Sequence, residues 1–279
     1  MNQLFMAINL KNIFYYLSLV FLMLCSCAGI KQITTYSEFK IDRQVSLFEV
    51  DNLNNVYIVS GKNELSKWNN KGDLLYKYSD NRLGEIGILD VSNPLQTLVY
   101  YPDFRWLRFY DRTLNLTSEL SLLELGFQNV NVVNSSNDNN IWFFDEIDQI
   151  ILKIDQEGQV LIRSDDLRQV LKKSIFPTKL FEKKNTLLLY DQNFIYTFDA
   201  FGTFMNEFEI GSVISLTFNG KEAQYIDSKN QLLSVNVLSK TAEIGVVEQM
   251  DSSILGFRKG LDCRFYKKKD HILIKKGVE

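Results

Sequence analysis

The sequence predicts an all-β fold, a six-bladed β-propeller, on three observations. From residue 46 onward, short apolar runs alternate with polar turns and long helical periodicity is scarce. One pattern of strands and turns comes back at intervals of about 43 residues. Aromatic residues are plentiful (20 Phe, 13 Tyr, 3 Trp) against three prolines, a composition suited to pleated sheet, where aromatic and β-branched side chains pack well.

The clearest unit is residues 51–74, DNLNNVYIVSGKNELSKWNNKGDL. It reads as a strand over 56–59, a polar turn over 60–63, a second strand over 64–68, and a turn closed by Gly72 before a third strand. The same grammar returns over 137–160, where KIDQEG (153–158) superposes on KWNNKG (67–72) at an offset of 86. A unit should fall between them, and Tyr110-Asp111 lies 42 residues past Trp68-Asn69, after strands over 97–101 and 104–110 around a Pro102-Asp103 turn. Phe198-Asp199, with Gly202 following, lies 44 past Ile154-Asp155, and weaker copies occupy 224–237 and 261–276. Units therefore centre near 60, 100, 145, 190, 225 and 265.

A period of ~40–45 residues with about four strands per unit is the signature of a propeller blade. One such blade is apolar on both faces and cannot stand alone, whereas a ring buries every face against a neighbour. The glycine of N-x-x-G or D-x-x-G supplies the positive φ its turn needs, and the Asn or Asp bonds nearby backbone amides. The last unit ends with two or three strands in hand. Residues 35–41, TYSEFKI, alternate like a strand and are the expected closing strand of that blade. This layout resembles the six-bladed propellers of the NHL and TolB-like type over nearly all of 35–279. Residues 165–174, DDLRQVLKKS, depart from it: Leu167, Val170 and Leu171 at helical spacing behind Asp165 or Asp166 predict a short helix on an inter-blade loop.

The N-terminus has a different grammar. Residues 1–26 hold Lys11 as their only charge and run into the apolar stretch 13–24, twelve residues against the ~20 needed to cross a bilayer as a helix. Small residues follow. Leu24-Cys25-Ser26-Cys27 resembles the bacterial lipobox, which implies cleavage after Ser26 and lipid attachment at Cys27. The expected organisation is a lipoprotein signal peptide over 1–26, a tether over 27–34 and the propeller over 35–279. Position +2 is Ala28 rather than the aspartate of inner-membrane retention, and the acidic export tag of Bacteroidota surface lipoproteins is also missing. The resemblance to a Bacteroidota-like lipoprotein thus implies the outer membrane, facing the periplasm.

Charge and chemistry narrow the function. The formal charge is −3, and −4 once Lys11 leaves with the signal, which argues against nucleic acid as a partner. After processing and lipid attachment at Cys27, Cys263 is the only free cysteine and His271 the single histidine, too few for a zinc set or an ordinary catalytic triad. Asp145, Glu146, Asp148 and Asp155 could serve a calcium-dependent channel of the gluconolactonase kind, but their spacing is not that of a calcium loop. No phosphate-binding glycine motif occurs. The aromatic run 100–112, YYPDFRWLRFYDR, reads as inter-blade packing before it reads as a stacking platform. Residues 258–276 carry eight basic side chains against two acidic ones, and Arg264, Lys267, Lys268 and Lys269 are the candidate residues facing a membrane or partner.

The expected function is a lipid-anchored envelope propeller, non-catalytic and without a cofactor, that binds a protein partner in an outer-membrane assembly or transport machine. The alternative is a carbohydrate-binding or metal-dependent, lactonase-like hydrolase working in the central channel. An enzyme should converge acids at one channel mouth, whereas a scaffold should expose an apolar or charged patch on a face or rim.

Overall fold

A computed structural model of the protein describes residues 36–41, 44–61, 63–239, 243–269 and 271–276. The proposed signal peptide, Cys27 and the tether lie outside the described residues. The described part contains six four-stranded antiparallel sheets arranged as a six-bladed propeller.

Strand β1 (Tyr36–Lys40) comes first in the chain. The first blade is β2 (Val45–Val50), β3 (Val56–Ser60), β4 (Glu64–Trp68) and β5 (Leu74–Ser79). The second is β6 (Ile88–Asn93), β7 (Gln96–Tyr101), β8 (Trp106–Asp111) and β9 (Leu116–Ser121). The third is β10 (Val130–Ser135), β11 (Ile141–Asp145), β12 (Ile150–Ile154) and β13 (Val160–Arg163). Helix α1 (Leu167–Leu171) leads to the fourth: β14 (Lys179–Lys183), β15 (Thr186–Asp191), β16 (Phe194–Phe198) and β17 (Phe204–Glu209). The fifth is β18 (Val213–Phe218), β19 (Glu222–Asp227), β20 (Gln231–Asn236) and β21 (Ile244–Gln249). The sixth is β22 (Gly256–Lys259), β23 (Cys263–Lys267) and β24 (His271–Lys276), with β1 added at its outer edge.

Within a blade the first strand lines the axis and the fourth faces solvent. The two middle strands are buried on both faces, as a sheet packed between two neighbours must be. In β11 all five residues are buried, and alternate side chains serve different neighbours. Ile141 and Phe143 pack with Leu98, Tyr100, Leu107 and Phe109 of the second blade. Trp142 and Phe144 pack with Leu187, Leu189, Tyr196 and Phe198 of the fourth. The aromatic run is divided in the same way. Tyr100, Leu107 and Phe109 face the third blade, while Tyr101 and Tyr110 join Tyr57, Val59 and Leu65 of the first.

The turn between the third and fourth strands carries the repeat. Asn69, Asp111, Asp155 and Asp199 each use Oδ1 to accept the backbone N–H groups two and four residues on, at 2.8–3.0 Å. The residue three positions on has positive φ: Gly72, Leu114, Gly158 and Gly202. One boundary is corrected. The turn after β7 runs through Arg105, whose φ is 54°, so β8 begins at Trp106 and Phe104 stands half-exposed on the turn rather than on a strand. The short helix is present as α1, with Asp166 as its cap accepting the N–H of Arg168 at 2.9 Å.

Candidate functional site

The six inner strands enclose an axial cavity of about 730 Å³. Each contributes to the lining, through Leu47 and Glu49, Leu89 and Asp90, Val132 and Asn134, Lys179 and Glu182, Leu216 and Phe218, and Arg258 and Lys259. All the inner strands run the same way along the axis, because each blade repeats the same up-and-down order. Their first residues therefore share one face of the ring, the face that also carries α1.

Near that face four charged groups from three blades gather. Arg258 forms a two-pronged pair with Glu49, Nε to Oε2 and Nη2 to Oε1, both at 2.5 Å. Its Nη1 donates to Ser215 Oγ at 3.0 Å and to the carbonyl of Phe257 at 2.7 Å. Burial pulls the guanidinium pKa down and Glu49 more than restores it, leaving it above the ordinary arginine value. Lys267, from the end of β23, reaches inward and donates Nζ to the carbonyl of Val45 at 2.9 Å. Lys179 is exposed and lines the cavity, and among the described residues no hydrogen bond or ion pair engages its ammonium. Burial lowers its ammonium pKa, with Glu49 opposing and Arg258 adding to the effect. Burial likewise lowers that of Lys267, again with Arg258 adding. Groups of opposite charge favour ionisation and desolvation disfavours it, so both lysines sit where positive charge is under-compensated.

The acids deeper along the axis are committed to structure. Asp90 accepts the N–H of Ser92 at 2.8 Å, the N–H of Ser135 at 2.6 Å and Nδ2 of Asn134 at 2.7 Å. The Oδ1 of Asn134 in turn accepts the N–H of Glu182, and Glu182 Oε2 accepts that of Asn137, both at 2.8 Å. This belt ties the second, third and fourth blades together. It leaves neither carboxylate poised as an acid or base.

The residues singled out from the sequence are dispersed. Asp145 and Asp155 bond backbone amides of their own turns, Asp148 pairs with Arg163 at 3.0 Å, and Glu146 receives Asn129 and Asn131. All four lie outside the lining of the cavity. His271 stands in β24 opposite Lys40. Among the described residues, no three His, Cys, Asp or Glu side chains are placed to hold a metal ion.

The basic cluster is also divided. Lys268 pairs with Asp251 at 3.3 Å, Arg264 approaches Glu248 at 3.7 Å, and Lys269 is exposed. In the β1–β24 register Tyr36 lies opposite Lys275 and Lys40 opposite His271. Arg264, itself opposite Lys275 in the β23–β24 register, thus stands at the end where the chain enters β1. Lys267, Lys268 and Lys269 stand at the other end. Of the four, only Lys267 borders the small recess that Lys179 and Arg258 share with the axial cavity. Lys179, Glu49 and Arg258 were not legible as a group, because they come from the fourth, first and sixth blades and no sequence spacing joins them.

No family model matches the chain, and no curated protein matches it in sequence. Many solved structures share the architecture. A virginiamycin B lyase from Staphylococcus aureus superposes with a TM-score of 0.57 at 13% identity, covering 88% of this chain and 99% of that one. The WD40 domain of Pan2 from Neurospora crassa superposes at 0.59 with 8% identity, covering 85% of this chain and 90% of that one. A chain of a mitotic checkpoint complex gives 0.59 at 11% identity, covering 91% of this chain and 96% of that one. The likeness is one of fold. A lyase and a WD40 domain share it, so function must come from the residues.

Proposed function

We propose that this chain is a lipid-anchored, non-catalytic binding propeller of the cell envelope, held to the outer membrane through Cys27 and engaging a protein partner in an assembly or transport machine. The anchor reading is supported by Leu24-Cys25-Ser26-Cys27 after a short apolar stretch. The division into a signal over 1–26, a tether over 27–34 and a propeller over 35–279 belongs to the same proposal. So does closure of the ring by the N-terminal strand, which the pairing of β1 with β24 supports.

One observation carries the binding reading. The outer strands leave large apolar side chains in solvent: Leu74, Leu75 and Tyr76 on β5, Val160 and Leu161 on β13, and Ile244, Val246 and Val247 on β21. An outer strand has one unpaired edge, and apolar side chains beside such an edge form a template for strand addition by another chain. Of the axial acids, by contrast, Glu49, Asp90 and Glu182 are held in inter-blade bonds. On this reading Arg264 faces the bilayer, near the entry of the chain into β1, and Lys269 faces the partner.

Two measurements test the proposal. Cys27→Ala should abolish incorporation of labelled palmitate, and retained label would remove the anchor. A photo-crosslinking amino acid at Val246 should capture a discrete envelope protein in intact cells, whereas one at the solvent-exposed Lys71 should not. Equal capture at both positions would remove the rim as the binding surface.

A further inference from the structure

The axial site has a property that the rim-binding reading does not use. Three cations, Lys179, Arg258 and Lys267, surround one carboxylate, and Arg258 holds that carboxylate with two of its donors. Lys267 spends one of its three donors on the carbonyl of Val45, and Lys179 spends none within the described protein. Glu49, the nearby carboxylate, is bound to Arg258, so the Lys179 ammonium has donors free for a bound anion. Ser46 and Ser215 border the same recess, with their hydroxyls donating to the carbonyls of Val59 and Phe257. Beyond the cations the lining turns apolar, through Leu47, Leu89, Leu216 and Phe218. A cavity of about 730 Å³ falls in the ~300–1,000 Å³ span of small-molecule sites, which are mostly apolar with a few convergent polar groups.

We propose that the axial cavity binds a small organic anion, its acid group held at Lys179, where the cavity meets the recess that Arg258 and Lys267 also line, and its apolar body lying along the apolar part of the lining. The Glu49–Arg258 pair has a defined part in this arrangement. It neutralises Glu49, the carboxylate whose charge acts on Lys179. The apolar lining selects an organic acid over a bare inorganic ion, and the positive mouth selects it over a neutral analogue of the same shape. Glu49, Asp90 and Glu182 are engaged in bonds between blades, and Glu222 is a further carboxylate in the lining. The proposal is independent of the membrane anchor and of the rim.

The test uses the full chain in a neutral detergent and three probes: 4-phenylbutyrate, its neutral amide, and inorganic phosphate, followed by titration calorimetry. Phenylbutyrate should bind saturably, with the amide and phosphate each about tenfold weaker or more, since a hydrogen bond to a charged group contributes ~1.5–3 kcal/mol. Lys179→Gln should weaken phenylbutyrate by a similar factor and Lys179→Arg should retain most of the affinity. The amide binding as well as the acid, Lys179→Gln binding like the parent, or no saturable binding at all would each overturn the proposal. Phosphate binding as tightly as phenylbutyrate would overturn the assignment to an organic anion. A second readout needs no variant. Acetylation of the parent protein by an activated ester, followed by mass spectrometry, should show Lys179 protected by phenylbutyrate and the exposed Lys71 unprotected. Undiminished labelling of Lys179 would overturn the proposal equally.

Discussion

Glu49 of the first blade and Arg258 of the sixth are 209 residues apart and meet as a two-pronged ion pair at 2.5 Å. Around them Lys267 donates to the carbonyl of Val45, and Asn54 accepts the N–H of Leu261 at 2.9 Å while its amide nitrogen donates to Asp262. These polar contacts run beside an apolar seam in which Phe39, Phe48 and Ile58 pack against Cys263, Phe265 and Ile274. Both partners of the pair are largely buried, so removing one leaves the other unpaired. Glu49→Gln should therefore cost about 1.5–3 kcal/mol in urea unfolding. A double-mutant cycle with Arg258→Met should give a coupling of about 1 kcal/mol or more. Strict additivity would show that the pair does not help to hold the ring shut.

A second prediction concerns how blades are joined. The hydroxyl of Tyr100, fully buried, donates to the carbonyl of Val130 in the next blade at 2.7 Å. Tyr100→Phe keeps the ring and its apolar contacts but strands that carbonyl, and should cost about 1–3 kcal/mol. Calorimetric melting of the single variant measures it, and an unchanged midpoint would mean that water or another donor replaces the hydroxyl.

Gly158 and Gly126 provide a controlled comparison. Both have positive φ, 87° and 93°, but a Cβ at Gly158 would lie 2.6 Å from Leu125 Cδ1, whereas one at Gly126 meets nothing within 4 Å. Gly126→Ala should show the backbone penalty alone, about 1–2 kcal/mol. Gly158→Ala should exceed it by about 1–3 kcal/mol, the usual range for overpacking. Equal losses in denaturant titration would mean that Leu125 swings aside without cost.

The pH dependence has a definite sign at Cys263. Burial, reinforced by the hydrogen bond and charge of Asp262 and opposed by Lys276, pushes its thiol up to about 11 from 9.0. The folded state thus holds the proton more tightly than the unfolded chain. Its contribution to stability is complete below pH 9 and falls as pH rises toward 11. Alkylation of the native protein by iodoacetamide should stay slow through pH 10 and become fast at that pH in urea. Rapid native alkylation at pH 9 would contradict the burial.

The ring of blades was legible because one turn has strict chemical needs. An oxygen acceptor must begin it, and Asn69, Asp111, Asp155 and Asp199 meet that need 42, 44 and 44 residues apart. The repeat is faint where other residues satisfy the same geometry. Leu114 takes the positive-φ position of the second blade, where glycine stands in the first, third and fourth, and its side chain is recruited to the core. The packing role of the aromatic run was legible from alternation, but the place of Phe104 was not, since nothing local marks Arg105 for positive φ. The axial cluster was the least legible part. Arg258 and Lys267 look in sequence like members of one basic tail, and only the register of β22 and β23 turns both toward the axis. Lys179 gives no signal of its own, being one of several lysines in and beside the strand KLFEK.

The placement of β1 sets an order of events during synthesis. Its partner β24 is the last of the described strands to be made, so Phe39 must wait for Ile272 while five complete sheets emerge between them. At ~5–20 residues per second the wait is on the order of tens of seconds. Throughout it the first strand has no mate, and the leading edge of the nascent polypeptide is open to whatever chaperone or neighbouring chain it meets.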